Sequence, residues 1–206
     1  MLQIGTGVFW TLVYVLIAKR GFQDKTYGMP LVALCANISW EFIFSFVHPP
    51  PAPQLYINIV WFLFDVMILF QFIKFGRPSF DRTLLARLFI PVFLLSLIFS
   101  FLTVISITYE FRDLMGKYSA FGQNFMMSVL FVTMLANRNN VKGQSIYIAI
   151  FKMIGSASSS ILFYTFFPSS FLLKFLYVAI FVFDWIYIIL LYNKHKELRI
   201  NPWKRL

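Results

Sequence analysis

The chain has 206 residues, 60% of them hydrophobic, 20% aromatic and only 13% charged. A soluble domain carries roughly 25% charged residues, so this chain has too few to cover a surface that faces water, and its composition is that of a polytopic membrane protein. The net charge of +10 comes from basic residues lying between apolar runs, a topology signal that excludes a nucleic-acid partner. The single cysteine, Cys35, leaves no partner for an intrachain disulfide and no thiol cluster for a metal, and the two histidines, His48 and His195, fall near segment ends. Neither a redox enzyme nor a zinc enzyme is expected.

Seven apolar runs approach the length of about 20 residues that crosses a hydrocarbon core: Leu2–Ala18, Met29–Val47, Gln54–Lys74, Leu88–Thr108, Ser119–Ala136, Ser145–Phe166 and Ser170–Tyr192. The expected fold is all-α, a single seven-helix transmembrane domain over residues 1–206. The first run has no basic stretch before it and reads as a retained helix rather than a cleaved signal peptide. Pro30 suits a first helical turn. The stretch "HPPPAP" (48–53) must end the second helix in a short stiff turn, and Pro91 is a candidate kink in the fourth.

The connections set an orientation. One side collects Lys19, Arg20, Lys25, Lys74, Arg77, Arg82, Arg87, Arg138, Lys142 and the tail residues Lys194, Lys196, Arg199, Lys204 and Arg205; the other has only Arg112, Lys117 and Lys174. An excess of Lys and Arg marks the cytoplasmic side, so the N-terminus is expected outside and the C-terminus in the cytoplasm. The tail "NKHKELRINPWKRL" reads as a basic anchor at the membrane surface. The membrane would be the plasma membrane of a bacterium or the endoplasmic reticulum of a fungus.

Of the eight acidic residues, Asp24, Asp81, Asp113 and Glu197 fall in connections or the tail, and Glu110 at a helix end. Glu41, Asp65 and Asp184 fall inside spans, roughly 9, 16 and 21 Å below the outer ends at 1.5 Å per residue. A carboxyl at such depth must face the bundle interior. Residues three and four apart share a helix face, which groups Asn37, Glu41, Ser45 and His48; Asn58, Trp61 and Asp65; Tyr177, Asp184 and Tyr187; Ser96, Ser100, Thr103 and Ser106; and Asn124 with Ser128. These stripes are expected to converge on one central cavity.

A carboxyl group in a poorly hydrated cavity favours its protonated form and can act as a general acid. Aromatic faces stabilise positive charge. The combination suits protonation of an alkene or an epoxide followed by carbocation chemistry. Other readings stand beside it. Lys152 lies near the depth of Asp184, and an ion pair would make Asp184 a structural anion. Asp65 could serve only as a hydrogen-bonding residue. Trp40, Trp61 and Trp185 could simply pack, and "GSASSS" (155–160) reads as a close helix-packing face.

Three stretches, "NISWEFIFSFVHP" in the second span, "WFLFDVMILF" in the third and "FDWIYIILLY" in the seventh, resemble the membrane-integral terpene cyclases of fungal meroterpenoid and indole-diterpene biosynthesis, the paxilline-pathway type, which have bacterial relatives. The matching positions are Asn37, Trp40, Glu41 and Pro49, then Trp61 and Asp65, then Asp184, Trp185 and Tyr187. The resemblance implies a protonation-initiated, metal-independent cyclase that needs no cofactor and acts on a hydrophobic prenylated substrate within the bilayer. It implies Glu41 and Asp184 as the essential acidic pair. With the stripes, it makes Asn37, Trp40, Trp61, Asp65, Asn124, Tyr177, Trp185 and Tyr187 candidates for substrate binding. The chain lacks both the Asp-rich magnesium motif of ionisation-type terpene synthases and the DxDD motif of soluble protonation-type cyclases. Two alternatives use the same features: an intramembrane lipid enzyme of sterol-isomerase type, and a small proton-coupled transporter, which would want an inverted repeat. A retinal protein would need a Schiff-base lysine within the last span, where only Lys174 lies near the start.

Overall fold

The structure, a computed structural model, describes residues 2–79 and 87–206. Asp81 and Arg82, assigned above to the connection between the third and fourth spans, lie outside the described residues. The helices are α1 (Leu2–Asp24), α2 (Leu31–Phe42), α3 (Gln54–Phe75), α4 (Phe89–Glu110), α5 (Lys117–Arg138), α6 (Ile146–Phe166) and α7 (Phe171–Glu197). Each falls within a few residues of an expected span, as it must where every backbone polar group has to be satisfied inside lipid. Six are long and apolar enough to cross a membrane by themselves, and the seventh crossing is α2 with its continuation, Leu31–Val47. The protein is an integral, multi-pass membrane protein.

Six helices close a ring in which α1 packs on α6, α6 on α7, α7 on α5, α5 on α2, α2 on α3 and α3 back on α1. α4 lies outside the ring, against α2 and the edge of α5. Its serine stripe does not reach the interior: Thr103 and Ser106 are exposed, and the buried face is Phe89, Phe93, Val104 and Thr108. Seryl and threonyl side chains can satisfy their own helix backbone, as Thr108 does toward Val104 O at 2.9 Å, so a hydroxyl stripe does not compel burial. Pro91 is not a kink. It stands in the first turn of α4, where its missing N–H has no helical partner to lose.

The main apolar core fills the half of the ring at the basic end, around Ile17, Leu34, Ile68, Phe72, Phe131 and Leu191. That end is tied by Asp24. Its carboxylate accepts from Arg20 Nη2 at 2.5 Å, from Arg205 Nη2 at 2.5 Å and from the Gly143 N–H at 2.7 Å. Arg205 also donates to Val141 O, and its own carbonyl accepts from Ser145 Oγ at 2.6 Å. The end of the basic tail is thus docked across the ends of α1 and α6.

Small residues bring two walls together. At Gly155 a Cβ would lie 2.9 Å from the Trp10 ring, so the start of "GSASSS" is a contact face of α6 for α1. Gly116 has φ 66° and precedes α5; a Cβ there would fall 2.5 Å from the Phe44 ring, so only glycine fits.

Candidate active site

The half of the ring away from the basic end is hollow. A cavity of about 640 Å³ opens between the start of α1, the α2–α3 turn, the α4–α5 connection and the end of α6, within the range of roughly 300–1,000 Å³ usual for small-molecule sites. Trp10, Tyr14, Trp40, Phe44, Trp61 and Phe121 supply aromatic wall, and Asn37, Glu41, Gln123 and Asn124 supply polar groups. Pro49–Pro53 edge the mouth, with Gln3, Gln54 and Lys117.

The second helix is shaped at this wall. Directly after Glu41 and Phe42 the chain winds as a π-helical turn, Ile43–Val47, closed by His48 N–H on Ile43 O at 2.8 Å. The wider turn leaves the Phe44 carbonyl short of a donor, because five residues on stands Pro49, which has no N–H. Asn58 of α3 fills the gap, donating from Nδ2 to Phe44 O at 3.1 Å, and Gln54 holds the Asn58 amide by donating to its Oδ1 at 2.8 Å. Such single turns recur at functional sites. Across the cavity, Trp40 Nε1 donates to Gly116 O at 3.0 Å and to Ser119 Oγ at 3.1 Å, fixing α2 to the start of α5.

Glu41 is 2% exposed and stands on the wall, and its Oε2 has no hydrogen-bond partner among the described residues. Among the described residues, no cation pairs with it. One turn deeper, Asn37 spends both amide hydrogens, on the Tyr14 hydroxyl oxygen and on Asp65 Oδ2, the latter at 2.8 Å. Gln123 of α5 donates weakly to Asn37 Oδ1 at 3.4 Å. Asp65 is fully buried behind the wall, within electrostatic reach of Glu41 and Tyr14.

The third carboxyl is elsewhere. Asp184 is not on the cavity wall, so the expectation of one cavity holding all three carboxyls is corrected. It pairs with Lys152 of α6, Nζ to Oδ1 2.7 Å, both side chains essentially inaccessible. The Lys152 ammonium places its other two hydrogens on Asn124 Oδ1 at 3.0 Å and Ser128 Oγ at 2.6 Å, and Asn124 donates to Ser156 Oγ at 2.9 Å. Since Asn124 lines the cavity, Asp184 stands two side chains behind it. A buried carboxylate seeks the nearest cation, and Lys152 faces it from the neighbouring helix.

The remaining candidates divide. Asn37, Trp40, Trp61 and Asn124 line the cavity. Tyr177 packs on Phe121 at the outer edge of α7, centroids 4.7 Å apart, and does not reach the wall. Tyr187 is buried toward the basic end, donating to Gln144 Oε1 at 3.0 Å. Trp185 is 45% exposed on the outer face of α7, because the residue beside an inward Asp184 turns about 100° away on a helix. Sequence reasoning missed Trp10, Tyr14 and Gln123. The first two are four residues apart on α1, a spacing that could have flagged a shared face.

With this geometry in view, the comparisons with known proteins agree. The family of Pyr4-like transmembrane terpene cyclases matches residues 1–197, and the chain belongs to that family. It is 35% identical over 188 residues to the Pyr4-family terpene cyclase mfmH of Annulohypoxylon moriforme, covering 88% of this chain and 78% of that protein. It is 26% identical to the terpene cyclase macJ of Penicillium terrestre, over 77% of this chain and 64% of the relative. It is 27% identical to the asnovolin H synthase nvfL of Aspergillus novofumigatus, over 75% and 65%. The chain thus spans just under two thirds of the length of the last two. No solved structure matches it.

Proposed function

We propose that the protein cyclises a prenylated, meroterpenoid-like substrate, with the Glu41 carboxyl as the acid that starts the reaction. The observation that carries this reading is an unpartnered carboxyl group on the wall of an aromatic-lined cavity inside a membrane bundle. Its proton passes to the oxygen of a terminal epoxide. The C–O bond at the more substituted carbon breaks, the nearest double bond attacks that carbon, and the charge moves along the polyene as rings close. A C–H proton is then lost and the Glu41 carboxylate regains one, directly or through solvent, so substrate and product are isomers. No metal is needed, because the charge is generated by a protein acid and held by ring faces such as Trp10, Trp40 and Trp61. Asn37 and Asn124 position the chain of the substrate. Asp184 acts at one remove, by anchoring the Lys152 ammonium that holds Asn124.

The basic end is assigned to the cytoplasm, so the mouth of the cavity faces the lumenal or outer side, where the prenyl chain enters from the adjacent leaflet.

The test is incubation of membranes holding the protein with epoxidised prenyl substrates and analysis of products by mass spectrometry. Ring-closed isomers from the native chain and none from Glu41→Gln are expected. An isomer with a shifted double bond and no new ring moves the assignment to a sterol-isomerase-type enzyme. Unchanged cyclisation by Glu41→Gln ends the acid reading.

A further inference from the structure

We infer that Tyr14 is a second catalytic residue, whose hydroxyl donates a hydrogen bond to the same substrate oxygen that Glu41 protonates. This rests on the acid reading of Glu41 and extends it to the first helix, which no motif singled out.

Tyr14 is 2% exposed and stands on the cavity wall. Its ring is held on three sides: nearly parallel to Phe64 with centroids 6.0 Å apart and planes at 19°, tilted on Trp61 at 5.9 Å, and tilted on Trp10 at 6.4 Å. Its oxygen is held by Asn37, which donates to it from Nδ2. A hydroxyl has one donor and two acceptor sites, and here the bond to Asn37 occupies an acceptor site. The Tyr14 proton is therefore free to point elsewhere. Nδ2 cannot take it, being a donor only, and Asn37 Oδ1 already accepts from Gln123. The polar side chains around it are Asn37 and Glu41 on α2 and Asp65 on α3. The remaining oxygens within its surroundings are thus the two carboxyls, one on the wall and one behind it, and whatever occupies the cavity.

The spacing supports a shared target. Asn37 and Glu41 are one turn apart on the same face of α2, roughly 6 Å along the axis. Tyr14 is pinned at the level of Asn37. One oxygen accepting two hydrogen bonds of about 2.7–2.8 Å at its lone-pair angles spans donors roughly 4.5–5 Å apart, within reach of side chains on adjacent turns. A substrate oxygen lodged between Glu41 and Tyr14 thus receives a proton from one and a hydrogen bond from the other. The alkoxide character that develops as the C–O bond breaks is met by two donors already in place. A preorganised donor of this kind is worth about a hundred- to a thousand-fold in rate.

The test uses single-turnover kinetics on the full chain in membranes, with an epoxidised prenyl substrate, so that the chemical step is read directly. Tyr14→Phe keeps the ring contacts and removes the hydroxyl. The expected result is a loss of about a hundred-fold in the chemical rate, with the substrate concentration for half-saturation within about two-fold of native. Replacement of Tyr14 by a fluorinated tyrosine keeps the shape and makes the hydroxyl a stronger donor. A purely structural tyrosine would not respond to that change, whereas a donor to the substrate should change the chemical rate more than two-fold. A native rate in both variants overturns the inference, and so does an unchanged rate in the fluorinated one should Tyr14→Phe fail to fold. Glu41→Gln run alongside separates the two readings. An inactive Glu41→Gln beside a fully active Tyr14→Phe removes Tyr14 alone, whereas an active Glu41→Gln removes the acid mechanism on which the inference rests.

Discussion

Two buried polar clusters lie in the same bundle and are built on opposite terms. Around Lys152, three helices supply a cation, a carboxylate, an amide and two hydroxyls, and all three ammonium hydrogens find acceptors within 3.0 Å. Around Asn37, three other helices supply two carboxyls, an amide and a phenol, with no cation paired to them among the described residues. In the first cluster the charges are paired, Asp184 Oδ2 alone has no hydrogen-bond partner among its described residues, and Asn124 is its member on the cavity wall. The second is uncompensated and open to the cavity through Glu41. Burying a polar group without a partner costs free energy, and such a cost persists where the group has a task that a partner would block. A salt-bridged Glu41 would have no proton to give. On the proposed mechanism, the difference separates a scaffold carboxylate from a reactive one, although both sit mid-helix in apolar sequence.

That contrast can be broken in four ways. Glu41→Gln should cost about a hundred- to ten-thousand-fold in turnover, while thermal unfolding in detergent stays level, since the amide keeps the shape of a neutral carboxyl that the cluster holds without a partner. A large drop in stability would place Glu41 with the scaffold. Lys152→Met should do the reverse, lowering stability by about 3–5 kcal/mol because it strands the Asp184 charge. Combining it with Asp184→Asn should recover most of that, and a double variant no more stable than either single one would argue against the pair. Asp65→Asn keeps a hydrogen-bonding oxygen beside Asn37, so a loss of about ten-fold in turnover is expected, well below that of Glu41→Gln; equal losses would make Asp65 the acid. The smallest effect belongs to Trp185→Ala, on the outer face beside Asp184. Stability should move by less than about 0.5 kcal/mol, and turnover should be native. A clear fall in turnover would mean that the outer face of α7 meets the substrate.

The helices were legible because a bilayer demands long apolar runs, and Gln54–Phe75 or Phe171–Glu197 offer few other readings. The pairing of Lys152 with Asp184 was open as one of two alternatives, since depth can be read from position along a span but the neighbouring helix cannot. The same limit hid Tyr14. Periodicity says which residues share a face, and α1 has no charged residue before Lys19 to say which face turns inward. It also misdirected Ser96, Ser100, Thr103 and Ser106, because nothing in the spacing of a stripe reveals that α4 packs outside the ring. The π-helical turn after Phe42 was legible only as the approach to a proline run, since its cause is shared between Pro49 and Asn58 on different elements.

The tie at Asp24 carries a kinetic consequence. Among the described residues, Arg20, Arg205 and the Gly143 amide are all fastened to one carboxylate at the basic end, and the main core is packed above them. A limp polyene can thread the mouth beside Pro49–Pro53 in many conformations. The fused-ring isomer that the proposed reaction would make lacks that pliancy and would leave past the same rim. On the proposed cyclisation, chemistry and exit would run on separate clocks, with exit the slower one expected, as in many enzymes whose turnover waits on product departure. A burst of first-turnover product followed by a slower steady rate is the expected trace. Residues that never touch the reacting carbons, the prolines at the rim above all, would then set how often the enzyme works.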